Sequence, residues 1–189
     1  MTSARTELGT LEASGRVQVA ALEPELEYLF RHALVQDAAY SSLLKQDRRT
    51  LHRLAATTLQ ALYPERGREL AGVIGMHYER AGDTAAAADQ LVIAGEHALE
   101  RFANKDAAAF FDRAETSLGT DDARADLRLR AAIGYAKSTW TSGGQSECID
   151  RLERAALLGE SGADPKLLSD AYFWIAFLRR SRGRVCKGM

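Results

Sequence analysis

The stretch from Leu70 to Leu99 constrains this chain more than any other, because it is written as two helices with a break between them. Leu70, Val73, Ile74, His77, Tyr78 and Ala81 recur at i, i+3, i+4, i+7, i+8 and i+11. That spacing gathers side chains on one helical face. Gly82-Asp83 interrupts the pattern, and Thr84 is placed to cap the next helix through its hydroxyl. Ala87, Leu91, Ala94 and Ala98 then renew the stripe. Gly75 and Ala87 are small enough to bring the two backbones close, with Tyr78 and Leu91 filling the space beside them. The expected unit is an antiparallel helical hairpin.

This pattern resembles a tetratricopeptide (TPR) hairpin. Ile74, Gly75, Tyr78, Ala87, Leu91 and Ala94 fall at that family's large, small and aromatic positions. Ala71 replaces the usual large first residue, and Leu99 stands where a proline often ends the unit. One helical hairpin cannot bury its own stripe, so the resemblance implies stacked neighbours. The expected fold is all-α, a TPR-like solenoid of antiparallel helical hairpins with a short N-terminal β-hairpin.

A chain of 189 residues is long enough for one sizeable core or a short solenoid. Three prolines and abundant alanine favour helix. The net charge of −1 gives no global attraction to nucleic acid or to an anionic membrane. No apolar run reaches the ~20 residues of a membrane span. Cys148 and Cys186 are far apart and form no CxxC pair, and no signal peptide is visible, so the expected compartment is cytoplasmic.

Ahead of the hairpin, Met1 to Arg5 is polar, and Leu8 and Leu11 mark a short helix ended by Ala13-Ser14-Gly15. Val17, Val19 and Ala21 suit a strand, Glu23-Pro24-Glu25 a turn, and Leu26, Tyr28 and Phe30 the return strand. Leu34, Ala38, Ser41 and Leu44 form one helical stripe. Asp47 is expected to cap a second helix carrying Leu51, Leu54, Ala55, Leu59 and Leu62, which Pro64 stops. Tyr28, Phe30, His32, Leu34, Tyr40, Leu44, Arg49, Leu51 and His52 together resemble a junction in bacterial signalling ATPases of the STAND class. In those proteins an AAA-type nucleotide-binding domain ends in a winged helix and a TPR-like array follows. Many carry a class III adenylate or guanylate cyclase domain, others a DNA-binding helix-turn-helix. The likeness runs from about Leu8 to Leu118, and more loosely beyond. It implies a winged-helix remnant over 1–30, a linking helical pair over 31–64 and TPR-like repeats over 65–189.

Downstream, Asn104 opens a helix with Ala107, Phe111, Ala114 and Leu118 on one face, ended by Gly119. Asp121 or Asp122 caps the next, which carries Leu127, Ala131 or Ala132, Tyr135 and Trp140 and stops at Gly143-Gly144. Its partner presents Cys148, Leu152 and Ala155, a second TPR-like set, closed by Ser161-Gly162. Asp164 as N-cap and Pro165 at the first helical position open the last helix, with Leu168, Tyr172, Ile175 and Leu178 or Arg179 as its stripe. Gly183 is expected at a turn, so the final repeat reads as truncated. The front reads as the tail of a winged helix.

The residues for catalysis are missing from the pattern. There is no G-x-x-x-x-G-K-[ST] loop, no H-E-x-x-H, no Cys/His cluster and no Gly-rich nucleophile elbow. Neither enzyme activity nor a cofactor is therefore expected within this chain, although a parent protein would be an ATPase or adenylate cyclase by the resemblance. His32 follows a strand and opens a helix, and the resemblance makes it a nucleotide-sensing residue. The plain alternative is an imidazole packed at the strand–helix junction. His52 is expected to seat its helix on a neighbour, and His77 and His97 to fill interfaces. Lys45, Arg48, Arg49 and Arg53, and Arg179 to Lys187, form two basic clusters, better read as solvated faces than as nucleic-acid contacts. The C-terminal Cys186-Lys187-Gly188-Met189 matches C-a-a-X only formally.

Aromatic residues are the remaining candidates. Phe110 and Phe111 point about 100° apart on a helix, so both cannot serve one narrow stripe. Phe110, Trp174 and Phe177 are the expected partner-contact residues. Trp174 and Phe177 lie on the side a following helix would cover, which predicts self-association through the C-terminal helix. The functional expectation is a non-catalytic regulatory scaffold. It would hold a protein or peptide in its groove, answer to an upstream nucleotide-binding domain and govern a cyclase or transcription effector. The competing expectation is a free-standing TPR adaptor bridging two proteins.

Overall fold

The computed structural model describes residues 2–21, 27–119, 124–142, 144–160 and 162–185, with side chains described for all but 2–5 and 182–185. In chain order these form α1 (Thr2–Ala13), β1 (Val17–Ala21), β2 (Glu27–Phe30), α2 (Ala33–Ser42) and α3 (Lys45–Leu62). A single 3-10 turn over Pro64–Arg66 leads to α4 (Gly67–Ala81), α5 (Thr84–Glu100), α6 (Asn104–Leu118), α7 (Ala125–Thr139), α8 (Gln145–Gly159) and α9 (Pro165–Val185). The fold is all-α, with one two-stranded sheet. The chain divides into two compact units, Met1–Arg48 and Arg49–Met189, parted within α3.

In the first unit β1 and β2 pair antiparallel, Val17 opposite Phe30 and Val19 opposite Tyr28. The hairpin buries Val17, and α1 packs beside β1. Thr2–Arg5, expected to precede the helix, already belongs to α1. The turn Glu23-Pro24-Glu25 and Leu26 lie outside the described residues. α2 buries none of its residues, and Leu44 falls beyond its end, so the expected stripe there is not a core face.

α3 also departs from expectation. It begins at Lys45, which leaves Asp47 inside the first turn rather than at the cap. Leu51, Leu54 and Leu62 are exposed, and Ala56 is the buried residue. The seam against α4 runs through His52, Ala56, Leu59 and Gln60, so Leu59 alone of the expected leucines packs on the core. Polar groups on α4 face that seam: His77 meets His52, and the Tyr78 hydroxyl donates to Gln60 Oε1 at 2.6 Å. These hydrogen bonds offset the desolvation of the groups that meet there.

The α4–α5 hairpin forms where expected, with its seam refined. Ala71, Ile74, Gly75, Tyr78 and Ala81 are buried, while Val73 stays 46% exposed. Gly82 ends α4 in a left-handed conformation (φ 76°), which glycine adopts without steric cost. Asp83, not Thr84, caps α5, accepting the N–H of Ala86 at 3.2 Å. A Cβ on Gly75 would meet Leu91 at 3.1 Å, and its nearest neighbours are Leu91 and Gln90 rather than Ala87.

From α4 to α9 each helix packs on the next, and α5 also touches α7, as α7 touches α9. This double duty explains why α5 and α7 are buried nearly all round. α7 alone encloses Leu127, Leu129, Ala131, Ala132, Ile133, Gly134 and Ala136. The core falls into two clusters, one around Ile74, Leu91 and Phe111, the other around Leu129, Leu152 and Leu178. Phe111 is fully buried between two glycines: a Cβ would lie 2.7 Å from its ring at Gly95 and closer still at Gly134.

In α6 the expected face of Ala107, Phe111, Ala114 and Leu118 is buried, as are Cys148, Leu152 and Ala155 in α8. Trp140 is the residue after α7 rather than part of its stripe. Asp121, Asp122, Gly143 and Ser161 lie outside the described residues. Asp164 caps α9 by accepting the N–H of Lys166 at 2.8 Å. The α9 seam is Ala171, Ile175 and Leu178, while Tyr172 stays exposed and donates its hydroxyl to Glu160. No turn occurs at Gly183, because α9 runs on to Val185. One interior glycine costs a helix only about 1 kcal/mol.

Candidate partner-binding groove

The three helices α4, α5 and α6 leave a groove between them. Gly72 makes it possible: a Cβ there would lie 2.8 Å from the tip of the Phe110 ring, so only glycine lets that ring lie against α4. Arg113 sits over Phe110 at 5.7 Å and is itself anchored to Glu79 at 3.2 Å, fixing the ring in place. The groove holds about 520 Å³. Its floor is Gly72, Val73, Met76, Ala94, Ala98 and Phe110, and its rim is Arg68, Glu69, His97, Arg101 and Asp106.

The rim charges differ in how committed they are. Arg68 pairs with Glu100 at 2.6 Å. Glu69 accepts two hydrogen bonds from Arg66, which hold its carboxyl below the usual range. Phe102, between the groove residues Arg101 and Ala103, adopts φ 59° and is 88% exposed. A bulky residue held left-handed and in water is uncommon and clusters at binding sites. The sequence signal for it was a helix end with phenylalanine where glycine would be usual.

The expected site residues do not converge. Phe110 lines this groove, whereas its neighbour Phe111 is core. Trp174 and Phe177 lie elsewhere, in an aromatic group on α9 with Phe173 and, across from α7, Trp140. His32 occupies the N-cap position of α2 with an extended backbone and an exposed side chain that makes no cap hydrogen bond. His97 lies on the groove rim. His52 and His77 form a pair, Nδ1 to Nδ1 at 2.9 Å, so one ring donates and the other accepts.

Burial, and then mutual repulsion and Arg80, lower the His52 pKa; burial and Arg80 lower that of His77. An imidazole depressed in the folded state contributes stability above its unfolded pKa of about 6.5 that is lost as pH falls through the folded value. The melting temperature of the wild type should therefore drop below about pH 6.5, and a His52→Phe, His77→Phe variant should show a shallower drop. Parallel pH profiles for the two proteins would contradict this.

Three members of the basic clusters are engaged. Arg48 lies over the Tyr40 ring at 5.2 Å, Arg53 faces Asp83 at 3.6 Å, and Arg179 pairs with Glu153. Four of the other ion pairs share a similar separation in sequence. Arg113–Glu79, Arg124–Asp89, Arg130–Glu96 and Arg151–Glu115 join residues 34, 35, 34 and 36 apart. Arg151 also holds Asp112 and Glu147, both at 2.7 Å, and stacks over Tyr135 at 4.0 Å. Burial raises the Glu115 carboxyl pKa despite the Arg151 contact.

Comparison of the chain with family models, with curated proteins and with solved structures found no match in any of the three. Among the described residues no group of three or more His, Cys, Asp or Glu side chains is placed to hold a metal ion. No described helix is long and apolar enough to cross a membrane.

Proposed function

We propose that this chain is a non-catalytic protein-binding scaffold of TPR-like helical hairpins, and that the α4–α6 groove receives a peptide segment of its partner. The observation that carries this is the groove itself, an apolar floor built on Gly72 and Phe110 beneath a rim of both charges. An apolar anchor seats on Val73, Met76 and Phe110, an acidic flank meets Arg101 and His97, and a basic flank meets Asp106. The packing of α5 on α7 and of α7 on α9, with ion pairs recurring 34–36 residues apart, supports a repeat of stacked hairpins. By the resemblance around Tyr28 to His52, such a scaffold would belong to the sensor side of a STAND-class ATPase. There, partner binding biases the nucleotide-binding domain between resting and active states.

The test is to pan a random peptide display library on the chain and measure the enriched peptides by calorimetry. Val73 is exposed, so Val73→Asp spares the core while placing a charge on the groove floor. Affinity should fall by about tenfold or more in Val73→Asp and also in Phe110→Ser. Failure to enrich any consensus, or equal binding by both variants, would refute the groove.

A further inference from the structure

The outward face of α9 is symmetric about its own midpoint. Asp170, Phe173, Phe177 and Arg180 follow at i, i+3, i+7 and i+10, one continuous stripe. The buried seam of Ala171, Ile175 and Leu178 lies on the other side of the helix. Asp170 and Arg180 stand five residues either side of Ile175, and Phe173 and Phe177 stand two either side. The order is acid, ring, ring, base.

We infer that α9 pairs antiparallel with α9 of a second copy of this chain across a two-fold axis near Ile175. In that register Asp170 of each copy meets Arg180 of the other, and Phe173 meets Phe177. One stripe thus supplies both halves of the interface, as an isologous contact requires. The two charges are about 15 Å apart along the axis, at a rise of 1.5 Å per residue. Both are exposed, and neither has an ion pair among the described residues, whereas adjacent Arg179 is already held by Glu153. Phe173 is 64% exposed, a large apolar ring in water. Phe177 is backed by Trp140 and Trp174, each 5.5 Å away edge-on, so the ridge is presented rigidly. Among the described side chains the other exposed charge on this line is Lys166, which lies about 13 Å from the crossing point, where two crossing helices have begun to diverge.

Charge exchange tests this on the full chain. By sedimentation equilibrium the wild type should be a dimer at micromolar concentration. Asp170→Arg alone and Arg180→Asp alone each set like charges opposite one another twice, and each should weaken the dimer by about tenfold or more. An equimolar mixture of the two single variants restores both pairs and should recover dimerisation, as should the Asp170→Arg, Arg180→Asp double variant. Circular dichroism of each variant guards against loss of fold, and the recovery cannot arise from misfolding. A monomeric wild type would overturn the inference, since the ridge would then belong to a different occupant. So would a dimer indifferent to both single exchanges, or one that the mixture fails to restore.

Discussion

Phe111→Ala should destabilise the Arg49–Met189 unit by about 3–5 kcal/mol, the range for deleting a fully buried aromatic side chain. The upper part of that range applies because Phe111 joins three helices at once. Its ring leaves α6, lies against Gly95 of α5 and ends at Gly134 of α7. The void cannot close, since neither glycine has a side chain to fill it. The reverse change is equally informative. Gly134→Ala would set a Cβ against the ring at a separation that real Cβ atoms essentially never show. Such overpacking costs about 1–3 kcal/mol or more. In a Phe111→Leu background the same Gly134→Ala substitution should cost clearly less, because the clash is gone. Urea unfolding of the four proteins measures this coupling, and strictly additive losses would show that ring and glycine do not meet.

Arg151→Ala should be the second most damaging substitution, at about 3 kcal/mol, the low end for breaking a buried charge pair. Arg151 serves three carboxylates from α6 and α8 and covers the Tyr135 ring. Asp112 and Glu147 are wet and contribute little. The cost arises at Glu115, whose Oε1 is buried and has no hydrogen-bond partner among the described residues. Removing the guanidinium leaves that carboxylate desolvated and unpaired. An added Glu115→Gln substitution should therefore recover part of the loss. Thermal denaturation of the single and double variants decides it: no recovery would mean that Arg151 acts through its packing on Tyr135.

Local chemistry was legible in the sequence, and long-range partnership was not. The β-hairpin, the α4–α5 break and the Asp164-Pro165 start of α9 all follow from turn residues and alternation over a few positions. The cap at α5 was misplaced by one residue because aspartate and threonine offer the same acceptor at adjacent positions. The seam of α3 was legible only at Leu59, because the exposed Leu51, Leu54 and Leu62 complete the stronger stripe while the helix also turns His52 and Gln60 toward His77 and Tyr78. Gly95 and Gly134 carried no signal, since nothing near them in sequence shows that a phenylalanine from another helix fills the space between them. Phe110 was selected for pointing away from Phe111. The groove beneath it depended on Gly72, more than thirty residues upstream. The four Arg–acid pairs 34–36 residues apart join different helices, and nothing local in the sequence marks which acid each arginine meets.

The double-sided burial of α7 bears on how a molecule like this can diverge. Leu129, Ala132, Ile133 and Ala136 serve one core cluster while Leu127 and Ala131 serve the other. Almost no position on α7 is therefore free to drift, and a change accommodated on one side is met by the opposite side. The groove floor draws instead on Val73 and Met76 of α4 and Phe110 of α6, none of which is fully buried. Substitutions at those few positions would reshape the groove while α7 stayed nearly constant. Between diverged copies, α7 would then be the trace of common origin that survives longest.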